Sequence, residues 1–337
     1  MIDWSKSYTA FWRVFKVNTD TWQDGDVIAK MDSLSVTRTA DGELIESGSL
    51  EASSEINDGW HRVVMIAEQD GNTERVEICT MLFEASGGTY GDDRHEALGR
   101  SVLYPASTQR LLAGSYILAG ANGADYAAKL LRSATSAPVE VEGSFTVNET
   151  IVHELDSTVL EAVWNVLNAG NFCIQIDGHG TIRIRPRPTA TALELNSQNA
   201  RLLMPTIEYK DSRVEVPNRL TAISGSRSAT AINDDPSSPV STVNRHFFVD
   251  VVEQDAIPVN GETIDAYAVR RLKQLSTYSD ERTYTREFYP DVYPYDIVEG
   301  SIPRVGLDGK MYVVSQSLEC GAGVVVTERA VKEVALW

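Results

Sequence analysis

Apolar and polar positions alternate in short runs at both ends of the chain. In residues 33–38, Leu34 and Val36 fall on one face while Ser33, Ser35 and Thr37 fall on the other, the period-two signature of a half-buried strand. Residues 12–17 are β-rich but alternate less cleanly, and residues 62–68 form a dense apolar run. Asp70-Gly71-Asn72 then turns the chain, and Val76, Ile78 and Leu82 return in period two. Asp and Gly tolerate the positive φ of a tight turn, so a hairpin is predicted here. The last fifty residues repeat the theme. A turn-rich entry over 289–298 and a loop over 303–309 precede two long arms, 310–320 and 324–334, joined by Gly321-Ala322-Gly323.

The middle of the chain changes period. Short helices are predicted over 107–114 and 124–133. A stronger helix starts at Thr158, with Glu161 three residues on as a capping box. Val159, Leu160, Val163, Trp164 and Leu167 form its apolar stripe, and Gly170 ends it. Residues 172–176 and 181–185 then read as a hairpin closed by Asp177-Gly178-His179-Gly180. Further on, residues 216–226 read as a strand, and 233–239 as a mobile loop rich in Asn, Asp, Ser and Pro. Residues 262–276 read as one amphipathic helix, with Ile264, Ala268, Leu272 and Leu275 on one side.

The expected fold class is mainly β with an α+β insertion. It divides into a first β-barrel module over 1–100, an α+β helix-hairpin module over 101–190, and a second β-barrel module with one helix over 191–337. At 337 residues the chain can bury roughly three-quarters of its unfolded surface without disulfide or metal staples. The three cysteines, Cys79, Cys173 and Cys320, are far apart and read as buried thiols in a reducing compartment. The N-terminus is polar, and no stretch approaches the ~18 apolar residues of a membrane helix, so synthesis in the cytoplasm and no membrane partner are expected.

Candidate chemistry is sparse. His153-Glu154 resembles part of a metalloprotease helix motif, but Ser157 stands where the second His is required. Asp20, Asp24 and Asp26 with Gly25 lack the spacing and closing Glu of a calcium loop. Gly91-Asp92-Asp93-Arg94-His95-Glu96 is a polar loop cluster with no nucleophile in view. Ser224-Gly225-Ser226 lacks the frame of a nucleophile elbow. His179 reads as a turn residue. Arg183, Arg185 and Arg187 form the one basic stripe, facing either water or a neighbouring subunit's carboxylates. No catalytic, cofactor-binding or metal-ligating residue is nominated, no cofactor is implied, and the chain is not expected to be an enzyme.

Several of these stretches together resemble the baseplate hub proteins of phage and prophage tails, which cap the tail tube above the central spike in contractile tails. They are residues 33–51 (SLSVTRTADGELIESGSLE), 162–188 (AVWNVLNAGNFCIQIDGHGTIRIRPRP), 216–226 (VPNRLTAISGS), 265–276 and 286–334. The resemblance implies two tail-tube-like β-barrel modules per chain. It also implies a homotrimer forming a pseudo-sixfold ring, with the tail tube protein and the central spike protein as partners, in the virion tail. DNA would pass through that ring without stable binding, past an acidic lumen. The alternative class is a receptor- or cell-wall-binding tail protein, with or without hydrolase activity.

Charge bears on the DNA expectation directly. The formal net charge is −18, and residues 1–100 alone hold 19 acids against 9 bases, for −10. Phosphate binding needs clustered Lys and Arg that release counterions, the opposite sign. The isolated protein is therefore expected to leave double-stranded DNA unshifted in a low-salt gel, and a discrete complex there would overturn the expectation.

Overall fold

The computed structural model describes residues 2–29, 31–40, 42–54, 56–88, 95–111, 115–148, 150–196, 208–211, 213–224, 226–254, 256 and 262–337. The N-terminal strands are β1 (Thr9–Val17), β2 (Asp24–Ala29), β3 (Met31–Thr39), β4 (Glu46–Ala52), β5 (Gly59–Gln69), β6 (Asn72–Gly88) and β7 (His95–Arg100). Next come α1 (Tyr104–Thr108), β8 (Tyr116–Ile117), α2 (Gly123–Ala134), β9 (Val139–Val141), β10 (Ile151–Val152), α3 (Val159–Ala169), β11 (Phe172–Ile176) and β12 (Ile182–Pro186). The remainder is β13 (Thr191–Leu195), β14 (Glu208–Asp211), β15 (Arg219–Ser224), β16 (Arg227–Ile232), α4 (Thr242–Arg245), β17 (Asp250–Glu253), α5 (Ile264–Leu275), β18 (Thr277–Glu287), β19 (Ile297–Ile302), β20 (Leu307–Cys320) and β21 (Val324–Ala335). The chain groups into two compact units: residues 1–206 with 284–330, and residues 207–283 with 331–337.

The first unit is built on an open sheet in the order β18-β21-β20-β3-β4-β7-β6-β5-β1-β2, with β19 also on β20 and β13 on β19. No closed barrel forms among the described strands. The terminal hairpin expected from its Gly-Ala-Gly turn is present, but it does not stay within 191–337. β20 lies antiparallel to β3, from Ser315 opposite Thr39 to Cys320 opposite Leu34. That register puts Leu318 and Cys320 into the same core as Leu34, Val36, Leu50 and Met65, and burying them there outweighs a self-contained hairpin.

Alternation holds across these strands. Leu34, Val36 and Leu50 point inward, whereas Ser35, Thr37, Ser47, Ser49, Ser317 and Glu319 lie on the opposite face. One expectation changes phase. A register shift between Val63 and Val64 of β5 skips a residue in β6, so Met81 and Phe83 turn inward after Val76 and Ile78. Leu82, expected on the inner face, is half-buried instead. A bulge has this effect because one extra residue exchanges the faces of every residue beyond it.

The helical module follows the sequence closely. Thr158 caps α3 with Glu161 completing the capping box, and Gly170 ends it. α1 is shorter and earlier than expected, at Tyr104–Thr108, because Pro105 starts it; residues 112–114 of the expected helix lie outside the described residues. β11 and β12 pair antiparallel, and β9 adds a parallel strand. Their inward residues, with Leu131 of α2 and Leu160, Val163 and Leu167 of α3, make a second core.

The turn between β11 and β12 plugs this module onto the large sheet. The Gly178 carbonyl accepts from Thr80 Oγ1 at 2.9 Å, and the His179 carbonyl accepts from Trp22 Nε1 at 2.9 Å and Arg62 Nη2 at 3.1 Å. Contact is so close that a Cβ at Gly178 would stand 1.8 Å from the Glu77 carbonyl oxygen. Arg62, buried to 1% exposure, also donates to Thr80 Oγ1 and the Trp22 carbonyl and pairs with Asp24.

In the second unit, β15 is the centre of a small sheet, antiparallel to β16 and parallel to β17. α5 covers one face, packing Tyr267, Ala268 and Leu272 on Leu220, Ala222, Ala229 and Ala231. Buried Asn218 donates to the Val240 and Phe247 carbonyls and accepts from the Val249 amide. The loop expected to be mobile is tied down: Asn233 is buried and donates to Ser238 Oγ, and Asn244 donates to the Pro236 and Ser238 carbonyls.

Gly178→Ala must push the module off the sheet by moving backbone, which is expected to cost about 1–3 kcal/mol and lower the melting temperature. Gly321→Ala, where an added Cβ meets nothing within 4 Å, serves as control and is expected to change stability by less than about 0.5 kcal/mol. Equal melting temperatures for the two variants would refute the docking.

Candidate functional site

The polar clusters singled out in the sequence resolve into structural roles. His153 is buried, its ring stacked on Tyr126 at 5.8 Å with Nε2 3.1 Å from the Tyr126 hydroxyl. Burial pushes its pKa down, favouring the neutral ring. Asp24 is held by Arg62 and Arg75 rather than turned toward Asp20 and Asp26. Residues 91–94 and Gly225 of two other candidate clusters lie outside the described residues. His179 sits in the β11–β12 turn, as expected, and contributes through its carbonyl. The three cysteines are free and buried, and burial pushes each thiol up, Cys173 and Cys320 to about 12, which disfavours the thiolate. Among the described residues no three His, Cys, Asp or Glu side chains gather in a group able to hold a metal ion.

Two arginines of the basic stripe find their carboxylates within the chain. Arg183 pairs with Asp177 at 3.0 Å and stands 3.7 Å from Glu140. Arg185 lies 3.3 Å from Glu142 and donates to Gln175 Oε1 at 2.9 Å. Gln175 in turn donates to the Pro294 carbonyl and to Asp296 Oδ1. The parallel β9–β12 pairing brings Glu140 opposite Arg183, and that non-local pairing has no mark in the local sequence.

Sequence reasoning missed the buried charges inside the large sheet. Arg286 and Glu328 are 1% and 0% exposed at side-chain level and pair through two hydrogen bonds of 2.9 Å. Tyr284 donates to Glu328 Oε2 at 2.7 Å and Gln316 Nε2 to its Oε1 at 2.8 Å. Burial alone would push the Glu328 carboxyl up; Arg286, Gln316 and Tyr284 outweigh it and hold it below the usual value. Arg38 and Glu46 form a second pair of this kind at 2.9 Å, with Arg38 over the Tyr293 ring at 5.0 Å. There burial prevails, and the Glu46 carboxyl is pushed up. A buried charge stripped of its partner costs about 3–5 kcal/mol, so such pairs must be kept whole. The available signal was phase: Arg286 falls between Tyr284 and Phe288, and Glu328 between Val326 and Ala330, on the inward side of each strand.

These arrangements bind the fold together. No family model matches the chain, and no curated protein matches it. Solved structures do. A tail protein from Neisseria meningitidis MC58 superposes with a TM-score of 0.66 at 14% identity, covering 97% of both chains. The 43 kDa tail protein of prophage MuSo2 from Shewanella oneidensis gives 0.63 at 12% identity, over 98% of this chain and 99% of that one. Prophage tail protein gp18 from Listeria monocytogenes EGD-e gives 0.51 at 10% identity, over 94% of each. At such identities the likeness is one of fold, and the chain has, over nearly its whole length, the mostly β fold of these tail proteins.

Proposed function

We propose that the chain is a structural, non-enzymatic subunit of a phage or prophage tail baseplate: a hub ring that connects the tail tube to the central spike and lets DNA pass. The observation that carries this reading is the end-to-end fold likeness to tail proteins. Three copies would close the ring, each giving tube-like β modules to a pseudo-sixfold circle. Closed cyclic symmetry is how a head-to-tail contact avoids endless growth. In the virion tail the chain would meet the tail tube protein on one side and the spike on the other.

Passage of DNA also asks for a wall that does not hold phosphate. The outward face of β3, β4 and β20 supports this, with Ser35, Thr37, Ser47, Ser49 and Ser317 beside Glu51 and Glu319. Short hydroxyls and carboxylates offer a polyanion no counterion release. With −10 of the net charge in the first hundred residues, carboxylates of that region would line the lumen, their repulsion screened beyond about 8–10 Å at physiological salt.

Light scattering is expected to give about 110 kDa, from three chains of 37.1 kDa, for the protein alone, or that mass plus the partner's on mixing with the tube or spike protein. Electron micrographs of that species should show rings with an acidic inner surface. A monomer under all of these conditions, or a ring whose acids cover only its outer wall, would overturn the trimer and the lumen respectively.

A further inference from the structure

The third arginine of the stripe behaves unlike its neighbours. Arg187 is exposed, makes no ion pair among the described residues, and lies over the Tyr295 ring at 5.1 Å. It lines two solvent-open hollows of the first unit. One, of about 690 Å³, runs along Gln175, Arg183, Arg185 and Asp291; the other, of about 350 Å³, is walled by Trp164, Asn168 and Glu43. Both are of ligand-site size.

The aromatic walls are fixed in place. Trp164 is half-buried with its indole N–H on the Glu43 carbonyl at 3.3 Å. Tyr295 sits at φ 74°, in the left-handed region, where a side chain with a Cβ is strained. It is held there because its N–H donates to the Val313 carbonyl at 2.8 Å and its hydroxyl to the Ala40 carbonyl. Strained backbone held by such contacts clusters at ligand-binding positions, and Tyr295 lines the smaller hollow.

Charge selects the class of ligand. The larger hollow sets Arg183, Arg185 and Arg187 against Glu142, Asp291 and Asp296, three of each sign, on a chain whose net charge is −18. A balanced groove favours neither a polyanion nor a cation. Arg187 and Asp291 of the larger hollow offer a donor and an acceptor, and the smaller hollow adds Asn168 and the rings of Trp164 and Tyr295. A pyranose matches this set: its hydroxyls both donate and accept, and its C–H faces pack on aromatic rings. We propose that the Trp164–Arg187–Tyr295 groove binds a neutral oligosaccharide, with one sugar residue in each hollow and Arg187 bridging them. The proposal goes beyond the ring reading and does not depend on it, since all these residues belong to one chain.

Isothermal titration of the full-length protein with chitotetraose, and separately with maltotetraose, tests this. Saturable binding of either is expected, weakened at least tenfold in Arg187→Ala and in Asn168→Ala. Both positions are exposed, so the melting temperature should not move. Absence of saturable binding of both sugars at millimolar concentration would overturn the proposal. So would binding that both variants retain in full, or saturable binding of hexaglutamate in place of the sugars.

Discussion

One buried cation holds the two halves of the first unit in register. Arg62 donates to Thr80 on the neighbouring strand and to the Trp22 and His179 carbonyls, and it pairs with Asp24. Three chain segments far apart in sequence therefore share one guanidinium. A planar fork with five donors can satisfy such a set, and an ammonium cannot. Burial pushes the Arg62 pKa down, and the nearby Asp24 opposes that shift. The glycine turn can approach the sheet closely because its polar backbone finds partners there instead of water.

Charges placed on the inward side of strands serve a related end. Hydrophobic side chains specify which face is buried, but many registers bury some hydrophobic surface. Glu328 accepts hydrogen bonds from Tyr284, Arg286 and Gln316 together only in the observed alignment of β18, β21 and β20. A slipped register would leave it buried and unpaired. Arg38 and Glu46 do the same for the β3–β4 pair, where they stand directly opposite.

Local elements were legible in the sequence wherever local rules govern them. The Thr158 capping box, the Asp177–Gly180 turn, α5 and the long terminal hairpin all follow from caps, turn residues and periodicity. What could not be read was partnership. Nothing near Leu318 says that it will face Val36, and nothing near Arg183 says that Glu140 will lie opposite. The phase change in β6 was equally hidden, because a bulge is decided by the partner strand as much as by its own residues. The loop over 233–239 looked mobile by composition, yet Asn and Ser side chains that often face water here supply its internal hydrogen bonds.

The β3–β20 pairing also sets a schedule for synthesis. Leu34 and Cys320 stand opposite each other across 286 residues of chain. Translation at about 5–20 residues per second needs roughly 15–60 s to traverse that distance. Throughout that interval one edge of β3 waits without its native neighbour while β4 already covers the other. Loop closure over such a span is slow on entropic grounds, so the large sheet is finished last and from its C-terminal side. The small hydroxyl-bearing residues on the outer face of β3 confine the apolar side chains of that waiting strand to its inner face, where fewer nascent chains can reach them.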